Sequence, residues 1–128
     1  MKQLTSEWVA LAEGDFASLA REMRARNAPN YHSACFHAQQ CAEKYMKALL
    51  QEAGTPFLRT HNLVGLMNLI LPSDPSWQSM QPDLQSLSIH AVAVRYPGFP
   101  ASRAIALDAR NVCRDVRKRA RTSLGLSV

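Results

Sequence analysis

The sequence predicts an all-α protein, an up-and-down four-helix bundle with an additional short helix. Three observations carry that prediction. Apolar residues recur every three or four positions and nowhere alternate, which is the period of helices and not of strands. Proline and glycine gather at Pro29, Gly54-Thr55-Pro56, Pro72 to Pro75 and Pro97-Gly98-Phe99-Pro100, and cut the chain into helical lengths. The connectors between those lengths are short, so long helices must pack as antiparallel neighbours. At 128 residues the chain has the common size of one domain, and residues 1–128 are read as a single one.

The first helix is expected from Thr5 or Ser6 to about Arg26, with Leu4, Trp8, Leu11, Ala12, Leu19 and Met23 on its inner face. Asp15 falls inside that stripe, where a carboxylate needs a cation or a hydrogen-bond donor. The second helix has Asn30 as its cap and Gly54 as its stop. Its inner face runs through Tyr31, Ala34, Cys35, Ala38, Cys41, Ala42, Tyr45, Met46 and Leu49, and the small residues among them allow close helix approach. Ser33, His37, Gln40, Lys44 and Lys47 fall on the other side. A third, short helix follows Thr60, with Leu63, Leu66, Met67 and Ile70 inward and Pro72 at its end. The fourth begins near Pro82, a residue suited to a first helical turn, turns Leu84, Leu87, Ala91 and Val94 inward, and breaks at Arg95-Tyr96-Pro97-Gly98. The fifth runs from about Ser102 to Leu124 on a stripe of Ile105, Ala109, Val112, Val116 and Ala120. Arg103, Arg110, Arg114, Arg117 and Arg121 are expected opposite it, facing outward.

A content of 47% hydrophobic and 20% charged residues excludes a largely disordered chain. No apolar run approaches the roughly 20 residues of a membrane helix, and Met1-Lys2-Gln3-Leu4-Thr5 lacks the layout of a signal peptide. A cytoplasmic protein without a membrane segment is expected. Cys35, Cys41 and Cys113 contain no Cys-x-x-Cys spacing and read as reduced thiols. The net charge of +5 resides in residues 101–128, where seven Lys and Arg face Asp108 and Asp115; residues 1–100 balance. That asymmetry fits an anionic partner, and it equally fits a solvated helix face.

No local motif supports a familiar enzyme class. Gly-x-Ser-x-Gly, a Walker loop and Gly-x-Gly-x-x-Gly are all absent. His37 and Cys41 sit four apart, but zinc needs three or four convergent ligands, so neither a metal nor another cofactor is expected. Lys44 and Lys47 have two readings: a wet helix face with Glu43 and Lys47 as an i,i+4 pair, or a pair of phosphate ligands. Arg95 and Tyr96 stand where the fourth helix stops. The guanidinium fork suits phosphate or carboxylate and the ring can stack on a base, while the alternative is an arginine capping the last carbonyls.

Four segments in order, Phe36-His37-Ala38-Gln39-Gln40-Cys41-Ala42-Glu43-Lys44, Lys47-Ala48-Leu49-Leu50, Arg59-Thr60-His61-Asn62-Leu63 and Arg95-Tyr96-Pro97, resemble a prokaryotic HEPN domain, of the stand-alone kind paired with minimal nucleotidyltransferases. The resemblance spans essentially the whole chain. It implies a four- or five-helix bundle, usually dimeric, often found with a minimal nucleotidyltransferase in toxin–antitoxin pairs or associated with nucleotide binding. Many HEPN domains are metal-independent ribonucleases whose signature is an arginine, a polar residue, and a histidine four to six positions after the arginine. Arg95 matches that arginine, but no histidine follows His90.

The resemblance therefore implies a homodimer that binds a nucleotide, an RNA end or a nucleotidyltransferase partner near Arg95, with Lys44, Lys47, His61 and Tyr96 as accessory groups. Two alternatives remain: a ribonuclease toxin with a degenerate motif, and a non-catalytic interaction module. The arginine set of the fifth helix is a candidate surface for nucleic acid or a partner. Phe36, Leu50 and Phe99 fall outside the core stripes, which adds to the expectation of a two-fold homodimer.

Overall fold

A computed structural model describes residues 1–93 and 96–128, and for residues 90–93 the backbone alone. Among the described residues the chain is all-helical. It runs α1 (Gln3–Arg24), α2 (Tyr31–Ala53), α3 (Leu63–Ile70), a 3-10 turn (Pro75–Met80), α4 (Gln81–Ala93) and α5 (Arg103–Ser123), with no strand.

Local chemistry sets most of the boundaries. The Asn30 side chain accepts from the Ser33 backbone N–H at 2.9 Å and opens α2. Gly54, at φ 71°, closes it in the left-handed conformation that glycine adopts without a Cβ clash, and Thr55 N–H reaches back to the Leu50 carbonyl. Asn62 caps α3 through the Gly65 N–H, and Ser102 caps α5 through the Ile105 N–H. Asp74 starts the 3-10 turn by accepting from the Ser76 N–H, with Pro75 in its first position.

The start of α1 differs from the expectation. Thr5 is not a cap: the helix begins at Gln3, and Thr5 is buried inside it. Its hydroxyl donates to Glu52 Oε1 at 2.9 Å, and the Lys2 backbone N–H donates to the same oxygen. The last turn of α2 thus ties down the first turn of α1. The inner face of α1 is also turned from the expected one. Val9, Ala12, Asp15 and Leu19 are buried with Thr5, whereas Leu4 and Leu11 are exposed.

α2 is the central helix, packed against α1, α3, α4 and α5. Ala34, Cys35, Ala38, Cys41, Ala42 and Ala48 are all fully buried along it, and their small side chains let α1 and α5 approach closely. Leu50, read as an interface residue, belongs to this core. α3 buries the four expected residues, and α4 buries Leu84 and Leu87; Ala91 and Val94 lie outside the residues whose side chains are described. Trp77 and Met80, in a segment read as a connector, close the end of the core from the 3-10 turn.

The seam of α5 is turned by roughly 40°, less than half of one residue's rotation, from the predicted register: Ala109, Val116 and Ala120 lie inward as predicted, and Ala106 and Cys113 take the places of Ile105 and Val112. Ala106, Ala109, Cys113, Val116 and Ala120 are buried, while Ile105 and Val112 are only partly covered. Arg110, Arg114, Arg117 and Arg121 each follow a buried residue by one position, so they flank the seam and do not oppose it.

Candidate functional site

The polar face of α2 holds two linked arrangements. In the first, Asp15 of α1 is buried and receives two donors from α2. His37 Nδ1 lies 2.7 Å from Asp15 Oδ1, and Lys44 Nζ lies 2.5 Å from Oδ2. The partner expected for Asp15 is thus a cation joined by an imidazole. Both partners keep about a quarter of their side-chain surface, 26% for His37 and 21% for Lys44.

That partial exposure sets the size of a testable effect. Asp15→Ala removes one carboxylate and leaves two groups that can turn to water, so stability should fall by about 1–3 kcal/mol. Urea melts of the two proteins check this; coincident midpoints would mean that the carboxylate holds nothing in place.

The second arrangement is centred on Glu43, the residue before Lys44. Its side chain is 3% exposed. Oε2 accepts from Lys47 Nζ at 3.0 Å, and Oε1 accepts from Gln39 Nε2 at 3.1 Å and faces His61 Nδ1 at 2.8 Å. Gln39 also donates to the His61 carbonyl, which pins the strand of chain before α3 onto α2, and Gln40 donates to Gln39. Lys47 is 8% exposed, with its ammonium 5.5 Å from the centre of the Trp8 ring. Trp8 packs edge-on against Phe57, so residues from α1 and from the α2–α3 connector cover the pair.

These contacts sort the candidates. Lys47 is neither a wet-face residue nor open to a ligand: it is a buried counter-ion. Lys44 is half-committed to Asp15. His61 is held at one nitrogen by a buried carboxylate while its side chain is 81% exposed. An ionised carboxylate only accepts hydrogen bonds, so Nδ1 carries the hydrogen between them and Nε2 is the nitrogen left to a ligand. Tyr96 is exposed, and Arg95 lies outside the described residues. Gln39 and Glu43, the groups that fix His61, were legible only as helix-face polar residues.

The arginine set of α5 divides. Arg103 and Arg114 are exposed, and Arg110 is half-buried. Arg117 makes a two-pronged contact with Glu13 of α1, Nε to Oε2 at 2.9 Å and Nη2 to Oε1 at 2.7 Å, and lies over the Phe16 ring. Arg121 donates to the Tyr45 hydroxyl at 2.9 Å, and Tyr45 donates to Glu13 at 2.6 Å. Arg117 and Arg121 therefore fasten α5 to α1 and α2, contrary to the outward direction expected of them. The Arg117 contact first, and the Tyr45 hydrogen bond next, hold the Glu13 carboxyl below its ordinary value against an opposing desolvation. Burial, followed by the bond to Glu13, raises the Tyr45 hydroxyl.

The three cysteines are free and buried, and a hydrogen bond with Cys113, followed by burial, raises the Cys41 thiol. Among the described residues no three His, Cys, Asp or Glu side chains converge as a metal site would require, and no helix is long and apolar enough to cross a membrane.

Compared with known proteins, the chain matches the HEPN domain family over residues 5–123. No curated protein and no solved structure matches it. The match begins at the buried Thr5 of α1 and ends at the last residue of α5, so it takes in every helix just described; the chain belongs to the HEPN domain family.

Proposed function

We propose that this HEPN-domain protein works as a homodimer that binds the phosphate-bearing end of a nucleotide or RNA, in the setting of a nucleotidyltransferase partner of toxin–antitoxin type. The observation that carries the reading is His61: an exposed imidazole whose Nδ1 is fixed by a buried carboxylate and whose Nε2 is free for a ligand. A ring held in this way loses little orientational freedom on binding, which is what a recognition group needs. Lys44 directly follows Glu43 on the same helix, and Tyr96 offers an exposed ring for stacking. Arg95, the residue that the family's arginine would occupy, completes the proposed set.

Mass spectrometry of nucleotides released from the purified protein tests the reading directly. Titration of the identified nucleotide into His61→Ala should then give affinity weakened about ten-fold, the loss of one hydrogen bond to a charged group. Affinity unchanged in that variant would remove His61 from the site.

The same geometry favours a second reading. A histidine oriented through Nδ1 by a carboxylate is also the arrangement of a general base. Cleavage of RNA by the wild type that disappears in His61→Ala would turn the proposal from binding to ribonuclease activity.

Dimerisation is supported by exposed apolar groups around one end of the bundle, Ile89 in α4 and Tyr96 and Phe99 in the loop before α5. Light scattering at micromolar concentration should give twice the 14.2 kDa chain mass; a monomer would sink the two-chain assembly.

A further inference from the structure

α1 and α5 both pack on α2, and a groove of about 200 Å³ runs between them. Three arginines line it, Arg24 from the last turn of α1 and Arg110 and Arg114 from α5, beside Phe16 and Met23. The ion pairs among the described residues take Glu13, Asp15 and Glu43 as their acids, and none of those carboxylates reaches Arg24, Arg110 or Arg114. Asp108 and Asp115, the acids of α5, pair with none of the three either.

Arg110 is the most telling of the three. Its Nε is buried and has no hydrogen-bond partner among the described residues, and Nη2 makes one long bond, to Asn111 Oδ1 at 3.4 Å. Burial first, and the charges of Arg114 and Arg103 next, lower its pKa from the ordinary arginine value. A buried donor without an acceptor, among like charges, is unfavourable unless an anion completes it. The neighbouring Arg117 has its acceptor in Glu13, so the contrast lies within one helix.

We infer that the groove between α1 and α5 is a binding site for a phosphate monoester group, held by Arg110, Arg114 and Arg24. The chemistry favours this class in three ways. A guanidinium fork matches phosphate oxygens in pairs. A monoester carries close to two negative charges at neutral pH, which suits three unopposed cations better than a singly charged carboxylate does. The groove is smaller than the ~300–1,000 Å³ of sites that enclose a drug-sized ligand, so it takes the phosphate and its first carbons against Phe16 and Met23 and leaves the remainder of the ligand outside. Neither His61 nor the α2 face contributes to this groove, and the inference stands apart from the function proposed above.

The test is a two-dimensional proton–nitrogen NMR titration that follows the arginine Nε–H signals. Adenosine monophosphate serves as the probe and adenosine as its control. The Arg110 Nε–H signal should move saturably with the monophosphate and stay in place with adenosine. Arg114→Gln, an exposed position that leaves the fold intact, should raise the dissociation constant about ten-fold. His61→Ala should leave the Arg110 response unchanged, which separates this groove from the His61 site. A 5′-phosphorylated oligoribonucleotide that saturates at lower concentration than the mononucleotide would identify the source as an RNA end; equal saturation would identify a free nucleotide. An Arg110 signal that ignores the monophosphate, that moves equally with adenosine, or that responds with unchanged affinity in Arg114→Gln would overturn the inference.

Discussion

Glu43→Ala should cost about 3–5 kcal/mol of stability, more than any other single polar substitution on the α2 face. The magnitude follows from what is left behind. Glu43 is the shared acceptor for Lys47, Gln39 and His61, and Lys47 is almost wholly buried beneath Trp8. Without the carboxylate, the ammonium is stranded in a site that water does not reach. The Asp15 site has the same chemistry and a smaller expected cost, because His37 and Lys44 keep a route to solvent. A double variant separates the causes: Lys47→Met in the Glu43→Ala background should recover most of the loss, since the pair is then gone and an apolar chain packs in its place. Urea unfolding of the four proteins checks this. If Glu43→Ala melts no earlier than Asp15→Ala, burial of Lys47 is not the source of the effect.

His61 supplies a second readout of the same variant. Among the described residues its ring is oriented through Glu43 Oε1 and its backbone through Gln39. Glu43→Gln keeps the side-chain volume and exchanges an acceptor pair for an amide, so ligand affinity at His61 should fall even where stability largely survives. A binding site that tolerates Glu43→Gln would not depend on the imidazole's orientation.

The features legible in the sequence are those that short stretches of chain decide. Asn30 and Gly54 bound α2 by satisfying orphan groups a few residues away, and Ser102 does the same for α5. The pairing of Asp15 was also legible, because a carboxylate inside an apolar stripe requires a partner whatever the partner is. The features that were not legible depend on which face another helix covers. Glu43 and Lys47 have the spacing of a solvated ion pair, and only Trp8 and Phe57, distant in sequence, make them a buried one. On α5 the predicted Ala109, Val116 and Ala120 are buried, but the larger Ile105 and Val112 drew the stripe to one side, and the seam runs through Ala106 and Cys113 in their place. Small residues win there because they let α5 close on the equally small face of α2. That turn of the seam leaves Arg117 and Arg121 at its edge, where they reach Glu13.

Glu13→Ala should cost about 2–4 kcal/mol, the second largest effect expected, and should do so in a pH-dependent way. Glu13 accepts both prongs of Arg117 and the Tyr45 hydroxyl, and lies 3.5 Å from Arg121. The two arginine side chains are only 18% and 14% exposed, so neither is fully rescued by water when the carboxylate goes. The sign with pH follows from the direction of the Glu13 shift. Its carboxyl titrates lower in the folded chain than its ordinary value of 4.5, so the unfolded chain binds the proton first as pH falls. The contribution is therefore complete above about pH 4.5 and is lost as pH drops through the lowered folded value. Wild type should consequently lose more stability between pH 7 and pH 3 than Glu13→Gln, which has nothing to protonate at that position. Urea midpoints at the two pH values measure the difference. Parallel losses in both proteins would show that the clamp between α1 and α5 holds through packing of Arg117 on Phe16 and not through the charge of Glu13.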